Sequence, residues 1–387
     1  MRIFYVIPYW APPPFELRRD ERIYRERRIV ADAVAKGLDC RLYIFSDVAE
    51  TCREHSGQPV WFVPFSGGRE NAPFSFHSNE LLEIVNREQP DLVVAKGLGH
   101  LFSRWLMCKS DVRFRMALVA AGNTQDPSLP YVDYVLAETP AQIRGPFSGL
   151  DASGQVSLLS KLNLPFHSSP RGTPHYEVVN VGTFNPNKSQ AALLPLADRY
   201  RLALVGDGEC WEGVRKQAAA CACPVFMPGN LPREQVGEVI ARSRLMVHAA
   251  KYEGLPRVVM EAFAAGVPVV ASRRAMPGAF EHGVQGLLVE PEELLDAARS
   301  LLEDPGRLAE MGQAARVYAE RCCSEQVIFA EVERMYACVM EHPPRYGGHW
   351  WQKIHIVART ARMGAVTRGR ELIVALGIKR VLSWVGI

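Results

Sequence analysis

Short apolar runs alternate with longer amphipathic stretches along most of the chain, as is typical of the buried strands of a parallel sheet and the helices that connect them. A first series of predicted strands covers Arg2–Ile7, Cys40–Phe45, Val60–Val63, Asp91–Ala95, Arg115–Ala120 and Asp133–Ala137. A second series covers Val178–Val181, Arg201–Val205, Pro224–Met227, Arg244–His248, Pro268–Ala271 and Gly286–Val289. Helices are predicted near Glu21–Lys36, Asn79–Glu88 and His100–Cys108, and after most strands of the second series. The alternation predicts two doubly wound, Rossmann-like α/β domains.

The segment between the two series predicts a hinge. Residues 144–175 are rich in Gly, Ser and Pro and contain one short apolar stretch, Val156–Leu164. We therefore predict an N-terminal domain over residues 1–172, a C-terminal domain over residues 173–342 and a tail over residues 343–387. Two domains joined by a hinge are expected to face each other across a cleft, which can exclude water when it closes.

The tail differs from the rest of the chain in composition. From Arg345 to the last residue the only acid is Glu371, while Arg and Lys recur and Trp350, Trp351 and Trp384 lie among aliphatic residues. Four aliphatic residues recur at helical spacing beside three cations: Val374, Ile378, Val381 and Val385, with Arg370, Lys379 and Arg380. A basic amphipathic helix on an anionic membrane surface fits this pattern, and a helix that packs on the first domain fits it equally well.

Composition and charge narrow the function classes. The chain has 387 residues, 48% of them hydrophobic, which is enough for two cores. A net charge of +3 gives no indication of nucleic acid binding, and nine cysteines without paired Cys-x2-Cys units give no indication of a zinc site. The first apolar run is too short for a secretory signal, so we expect a cytoplasmic protein with reduced thiols, peripheral at the inner face of the membrane if the tail binds lipid.

The most informative polar pattern is the pair Glu253 and Glu261, which are separated by seven residues. Gly254 and Pro256 break regular structure, and the apolar, Ala-rich residues that follow predict a helix that starts at this loop. Ligands of parallel sheets bind outside the carboxyl ends of the strands, where Glu253 falls, and a helix start offers free N–H groups to an anion. The spacing alone also fits two solvated carboxylates.

In the order of its motifs, the chain resembles the retaining GT-B glycosyltransferases of family 4, which transfer sugars from nucleotide donors. The resemblance is carried by four blocks between about residues 178 and 321: 181–188, 204–208, 253–261 and 280–289. In the first half the resemblance extends only to architecture. It implies a GT-B fold, with an acceptor-binding N-terminal domain and a C-terminal domain that binds a nucleotide-diphosphate sugar.

The resemblance also implies roles for residues of the second domain. Lys188 occupies the position of the phosphate-binding lysine, Glu261 that of the ribose ligand and Glu253 that of the residue facing the hexose. The backbone at Gly254 and Leu255 cradles the donor. Further positions near the nucleotide are Gly206, Gly208, Met227, Gly229 and Glu281. A surface lysine, simple tight turns and a solvated acid remain the structural alternatives for these positions.

One position departs from the family. An arginine is expected where Thr183 stands, and Thr183 can still donate one neutral hydrogen bond to the sugar nucleotide. Arg257 is a candidate for supplying the absent charge, with a surface salt bridge as the equal alternative. No Asp-x-Asp motif is present, so neither a metal nor a cofactor is expected beyond the nucleotide sugar itself.

The acceptor side carries weaker signals. Prolines at 12–14 replace the glycine pair that the family often has after its first strand, which predicts a stiffer loop. The charged stretch that follows is typical of a solvated helix, and we hypothesise that Arg18, Arg19 and Arg22 bind an acidic or phosphorylated acceptor. His100 lies where the family places a histidine near the donor sugar, although a surface histidine at a helix start is an equal alternative.

Together these features predict a retaining glycosyltransferase that acts on a glycan or lipid-linked acceptor, in the synthesis of a cell-surface polysaccharide or lipopolysaccharide. A catalytically silent GT-B protein that binds a sugar nucleotide or glycan as a scaffold is the alternative, suggested by Thr183 and the altered first loop.

Overall fold

A computed structural model describes residues 1–10, 23–53, 59–69, 72–120, 125–161 and 174–362. The chain divides into two compact units. Unit 1 comprises Met1–Glu138, Gln142–Leu159 and Phe329–Ile387, and unit 2 comprises Thr139–Ala141 and Ser160–Ile328. The hypothesised acceptor residues Arg18, Arg19 and Arg22, and the tail beyond residue 362, lie outside the described residues.

Unit 1 is built on an eight-stranded sheet in the order β10-β9-β8-β7-β1-β2-β4-β3, with β3 antiparallel to β4 and all other pairs parallel. A separate hairpin pairs β5 with β6. The strands are β1 (Arg2–Trp10), β2 (Asp39–Ser46), β3 (Glu50–Arg53), β4 (Pro59–Pro64), β5 (Gly67–Arg69), β6 (Ala72–His77), β7 (Leu92–Lys96), β8 (Arg115–Val119), β9 (Tyr134–Ala137) and β10 (Val156–Leu158). The helices in this half of the chain are α1 (Tyr24–Ala35), α2 (Asn79–Glu88), α3 (Leu101–Lys109), α4 (Pro140–Arg144) and α5 (Ser148–Asp151).

The core of unit 1 lies between this sheet and its helices. Residues of β1 such as Phe4 are fully buried, because both faces of a parallel sheet are covered by helices. Phe102 and Trp105 of α3 enter the same core, and Phe102 meets the ring of Phe45 edge to face at 5.3 Å. The side chain of Ser78 caps α2 by accepting a hydrogen bond from the Leu81 N–H.

Unit 2 contains a six-stranded, wholly parallel sheet in the order β13-β12-β11-β14-β15-β16. Its strands are β11 (Tyr176–Val181), β12 (Leu202–Val205), β13 (Val225–Phe226), β14 (Ser243–His248), β15 (Val269–Ser272) and β16 (Gly286–Val289). The helices in this part of the chain are α6 (Trp211–Ala218), α7 (Arg233–Ala241), α8 (Arg257–Ala264), α9 (Leu294–Glu303) and α10 (Pro305–Cys323). The chain builds outwards from β11 through β12 to β13, and then crosses back to β14. The switch point of this sheet is therefore between β11 and β14.

Every predicted strand coincides with an observed one, and the two parallel sheets confirm the predicted α/β class. The structure adds β3, β5, β6 and β10, which are edge or hairpin strands. Part of the predicted hinge is regular structure, because β10 pairs with β9 through Val156 and Val135. Residues 162–173 of that hinge lie outside the described residues.

The C-terminal helices are α11 (Glu325–Glu341) and α12 (Trp350–Arg362). The unit to which α11 belongs differs from the predicted domain limits. From Phe329 onwards the chain groups with unit 1, whereas the prediction assigned residues up to 342 to the second domain. The Tyr336 and Tyr5 hydroxyls are hydrogen-bonded at 2.9 Å, which ties α11 to the first strand. Ile356 and Val357 of α12 enter the unit 1 core. Within the described residues, no helix is long and apolar enough to cross a membrane.

Candidate active site

The loop after β11 holds Lys188 in a fixed position. The side-chain oxygen of Asn185 accepts hydrogen bonds from the backbone N–H groups of Asn187 at 3.1 Å and of Lys188 at 3.0 Å. Such an Asx turn shapes a loop without any contribution from the sheet. It leads directly into a 3-10 helix, Gln190–Asp198, so Lys188 lies at a helix start as predicted.

Asn187 joins this loop to the loop after β14. Its side-chain amide donates to the Tyr252 carbonyl at 3.0 Å, and its side-chain oxygen accepts from the Tyr252 N–H at 3.0 Å. The Lys251 N–H donates to the Asn187 carbonyl at 2.8 Å. Because β11 and β14 are the neighbouring strands at the switch point, these bonds fasten together the two loops that line it.

We call the three hydrogen bonds between Asn187 and residues 251–252 the clamp. The clamp brings Lys188 and Glu253 into an ion pair, with the lysine ammonium hydrogen-bonded to a carboxylate oxygen of Glu253. The side chains are 20% and 18% exposed, so solvent reaches the pair. Burial of the Lys188 ammonium lowers its pKa. The arrangement places a cation with a replaceable counter-ion at the carboxyl end of the sheet, where an anionic ligand can compete with Glu253.

His248, the last residue of β14, lies beneath this pair. Its side chain is 1% exposed, and its Nε2 is 3.8 Å from Glu253 Oε1. Neither ring nitrogen has a hydrogen-bond partner in the described parts of the chain. Burial and the nearby Lys188 cation lower the pKa of His248 to about 3, so the ring is neutral at neutral pH. Sequence analysis did not select this residue, although a histidine at the end of a buried strand next to the Glu253 loop was a usable signal.

Glu261 has a different environment from Glu253. It lies in the middle of α8, and its Oε1 accepts from the Arg233 guanidinium at 2.6 Å. The two side chains are 4% and 8% exposed. Arg233 begins α7, and no sequence pattern linked it to Glu261. The predicted ribose contact of Glu261 stays a prediction.

Two glycine turns bring backbone segments close together beside this site. Gly206 and Gly208 have φ angles of +131° and +149°. A Cβ atom on Gly206 would lie 2.1 Å from the Gly182 carbonyl oxygen, and one on Gly208 would lie 2.5 Å from that of Phe184. The Gly206 N–H also donates to the Gly229 carbonyl at 2.9 Å. Gly206 and Gly208 are therefore needed for close contact between the loops after β11 and β12.

The start of α8 follows the sequence prediction. Pro256 is its N-cap, Arg257 is its first residue, and no side chain caps the helix. Gly254 is half-buried and Leu255 is buried in the loop before it. The Thr183 side chain is exposed. That Arg257 supplies the positive charge absent at position 183 stays a prediction.

Two further predicted positions lie on other loops of unit 2. The Glu281 side chain is exposed, while its backbone N–H donates to the Gln285 side chain at 2.8 Å. Met227 lines an open groove of about 540 Å³ with the end of α6 and residues 221–225. Among the residues that the structure describes, no group of three or more His, Cys, Asp or Glu side chains could hold a metal ion.

In unit 1, His100 lies in the loop after β7 and precedes α3 as its N-cap. Its ring hydrogen-bonds to the backbone of Pro8 in β1, and burial lowers its pKa. Since β1 and β7 are neighbours at the switch point of the first sheet, His100 lies at the carboxyl edge of that sheet. Its predicted role near the donor sugar stays a prediction.

The same edge of unit 1 carries buried charges that sequence analysis had assigned to a solvated helix. Glu26 of α1 is paired with Arg25 at 2.7 Å and with Lys96 at 3.1 Å. Burial opposes ionisation, but the two cations prevail and lower the pKa of Glu26 to about 2. The mixed charges of this helix are therefore partly internal, not solvated.

Comparison with known proteins defines the class of the second unit. Residues 167–318 match the family model described as glycosyl transferases group 1, so this part of the chain is a group 1 glycosyltransferase domain. The sulfoquinovosyl transferase SQD2 of Arabidopsis thaliana is 30% identical over 154 residues, 37% of this chain and 30% of the relative. The GDP-mannose-dependent α-mannosyltransferase of Corynebacterium glutamicum is 31% identical over 141 residues, 35% of this chain and 33% of the relative. The chain thus spans about a third of the length of each of these two relatives.

Solved structures extend the similarity to most of the chain. Anabaena HepE, crystallised with UDP, has a TM-score of 0.62 at 16% identity, and the match covers 87% of this chain and 100% of that one. Sucrose-phosphate synthase from Thermosynechococcus elongatus also has a TM-score of 0.62 at 16% identity, over 88% of this chain and 100% of that one. These neighbours confirm the predicted GT-B fold.

Proposed function

We propose that the protein is a retaining glycosyltransferase that moves a sugar from a nucleotide-diphosphate donor to a glycan or lipid-linked acceptor. The main support for this proposal is the Lys188–Glu253 ion pair at the switch point between β11 and β14, inside the group 1 glycosyltransferase domain. A structural neighbour crystallised with UDP-glucose supports a nucleotide sugar as the donor. Relatives named as an exopolysaccharide phosphotransferase and as a phosphatidylinositol monomannoside mannosyltransferase support a role in cell-surface glycan synthesis.

Donor binding would separate the ion pair. The diphosphate carries more negative charge than one carboxylate, so it draws the Lys188 ammonium from Glu253. The uncapped N–H groups at the positive end of the α8 dipole also attract the diphosphate. Glu253, released from its cation, accepts hydrogen bonds from hexose hydroxyls. Glu261, whose carboxylate accepts from Arg233, is the proposed hydrogen-bond acceptor for the ribose hydroxyls.

The proposed chemical step is attack on the face from which the diphosphate departs. The bond between the anomeric carbon and the phosphate oxygen breaks, and the acceptor hydroxyl oxygen bonds to the same carbon. The acceptor proton passes to the leaving phosphate oxygen. Lys188 stabilises the negative charge that develops on that phosphate, which is where fixed cations contribute most. The step needs no metal, and loss of activity in a chelator, restored by magnesium or manganese, would contradict this part of the proposal.

The test is release of nucleoside diphosphate from a panel of UDP-, GDP- and ADP-sugars, with and without added glycan or lipid-linked acceptors. We expect one donor class to be turned over by the wild type. Lys188→Ala should reduce turnover by about 10²–10³-fold, since it removes one charge-stabilising donor. Lys251→Ala is the matched control, because this exposed lysine lies in the Glu253 loop and contributes only its backbone N–H to the clamp.

Each outcome of this panel has a defined meaning. Turnover lost in Lys188→Ala and kept in Lys251→Ala supports the enzyme. Tight binding of a sugar nucleotide without turnover, across all acceptors, would favour the silent scaffold instead. Failure to bind any sugar nucleotide would overturn both. Lys188 is preferred to Glu261 for this test, because removal of Glu261 breaks a buried ion pair between two helices and would disturb the fold as well.

A further inference from the structure

The helix α12, in the part of the tail that the structure describes, has two distinct faces. One face is buried against unit 1 and consists of Gln352, Ile356, Val357 and Thr360. The opposite face is exposed and consists of Trp350, Trp351, His355 and Arg359. The described tail therefore packs on the first unit, which is one of the two interpretations that sequence analysis left open, and it still presents an outward face.

The outward face carries two tryptophans in contact with solvent. Trp350 is 73% exposed and Trp351 is 51% exposed. Tryptophan is large and apolar except for one N–H group, so its exposure on a soluble surface leaves much apolar area in water. Adjacent exposed tryptophans mark surfaces that meet an apolar or interfacial environment.

Several contacts hold Trp351 and the start of α12 in place. Trp351 meets the Tyr131 ring edge to face at 6.3 Å, and the Tyr131 hydroxyl is hydrogen-bonded to His355 Nδ1 at 2.5 Å. The Gln352 side chain accepts from the Gly347 and His349 N–H groups at 2.9 and 3.2 Å. The start of α12 is therefore fixed to unit 1, so a binding surface here would be preorganised and would lose little entropy on binding.

The charged residues along this segment of the chain are all cations. No Asp or Glu occurs between Glu341 and Glu371, while cations recur through this segment. Those whose side chains the structure describes are Arg345, Lys353 and Arg359. Aromatic rings beside clustered cations match the chemistry of a membrane surface, where tryptophan lies at the headgroup level and Lys and Arg attract anionic lipids.

We propose that the Trp350–Trp351–Arg359 face of α12 binds the surface of an anionic lipid bilayer, with the indole rings at the headgroup level and the cations on lipid phosphates. A soluble phosphate compound would engage the cations but leave the indoles in water, so a bilayer accounts for both features. The inference does not depend on sugar transfer. It uses described residues of unit 1 and no residue of the Lys188 site.

The test is cosedimentation of the full-length protein with vesicles of phosphatidylcholine alone or mixed with phosphatidylglycerol. We expect binding only to the anionic vesicles, weakened by salt. Arg359→Glu changes the local charge by two, which at about fivefold per charge predicts roughly a thirtyfold loss of partitioning. Trp350→Ala should cost on the order of tenfold through lost apolar burial. Arg87→Glu is the charge-matched control on another exposed helix surface of unit 1 and should bind as the wild type does.

Three results would overturn the proposal. The first is no binding to anionic vesicles, and the second is binding that Arg359→Glu and Trp350→Ala leave unchanged, which would assign it to another part of the chain. The third is that Trp350→Ala abolishes self-association in sedimentation velocity and not vesicle binding, which would make a second copy the occupant of this face. Unchanged thermal unfolding of each variant verifies that the fold is intact.

Discussion

The two glutamates of the Glu-x7-Glu pattern both pair with a cation, but the two pairs differ in burial. Lys188 and Glu253 lie on loops at the carboxyl end of the sheet and keep about a fifth of their surface exposed. Arg233 and Glu261 lie on packed helices and are almost fully buried. A ligand can displace Glu253 from Lys188 without disturbing the fold. The Arg233–Glu261 pair, in contrast, joins two helices in addition to any contact it makes with a ligand.

Because the two pairs differ in burial, we expect one to affect the free energy of unfolding and the other the free energy of ligand binding. A buried pair contributes little net stability compared with apolar residues, but the loss of one member leaves an uncompensated charge in the interior. A solvent-reached pair costs little to break. We therefore expect changes at Arg233 to appear in stability, and changes at Lys188 to appear in ligand binding.

The largest effect is expected at Arg233. Arg233→Ala should lower the free energy of unfolding by about 3–5 kcal/mol, because it removes a buried cation that lies 2.6 Å from the buried Glu261 carboxylate. Urea unfolding measures this loss. Arg199→Ala is the control, since the Arg199–Glu303 pair is exposed and its removal should cost less than about 1 kcal/mol. Equal losses in the two variants would contradict a special role for burial.

Lys188 gives the second largest effect. A nucleoside diphosphate at a hundred times its Kd should stabilise the wild type by about 2.7 kcal/mol through mass action. In Lys188→Ala most of this stabilisation should vanish, while the stability of the free protein changes little. Thermal unfolding with and without UDP, GDP or ADP measures both quantities. The contrary finding, a variant that is much less stable alone but equally protected by nucleotide, would make the Lys188–Glu253 pair structural.

Asn187 tests how the exposed pair is aligned. Asn187→Ala removes the two side-chain hydrogen bonds to Tyr252, at a cost of about 1–3 kcal/mol in unfolding free energy. Nucleotide protection should weaken as well, because the two loops at the switch point are no longer fastened together. Asn185→Ala is the matched comparison, since its side chain orders only its own loop. Protection that is unaffected in Asn187→Ala would show that Lys188 needs no such alignment.

The strands and the Lys188–Glu253 site could be predicted from the sequence. Strands were predictable because parallel sheets bury both faces, so β11 and β14 appear as short, largely apolar runs. Lys188 and Glu253 follow these strands directly, so strand order and the family resemblance were enough to bring them to one site. Short edge strands such as β10 lack that pattern and were missed.

Arg233 and His248 were missed for a different reason. The Arg233–Glu261 contact depends on how α7 packs beside α8, which no periodicity along the chain encodes. His248 gains its properties from its depth below the Glu253 loop, and burial of a strand end is a tertiary property. The two faces of α12 were likewise hidden, because the tail showed its cations and tryptophans but not which of them face the core.

The last effect is a dependence of stability on pH and concerns His248, which adjoins the exposed pair and not the buried one. Its pKa of about 3 lies below the ordinary value of about 6.5, so between these values the unfolded chain binds a proton that the folded protein does not. Stability must therefore fall as the pH falls through this window, by up to about 1.4 kcal/mol per pH unit from this residue. His248→Asn should flatten the slope of unfolding free energy against pH.

The interval from pH 6.5 to 4.5 isolates this residue best, because the stabilisation from Glu26, whose pKa is about 2, is lost only at lower pH. The pKa values of His77 and His100 are also lowered by burial, but both residues are present in wild type and variant, so their contribution cancels in the difference. Urea unfolding at several pH values measures the two slopes. If they coincide, His248 is protonated in the folded protein, and its ring would then be a charged neighbour of Glu253 that competes with Lys188 for the carboxylate. A flatter slope in His248→Asn instead leaves Lys188 as the cation that Glu253 releases when an anionic ligand binds.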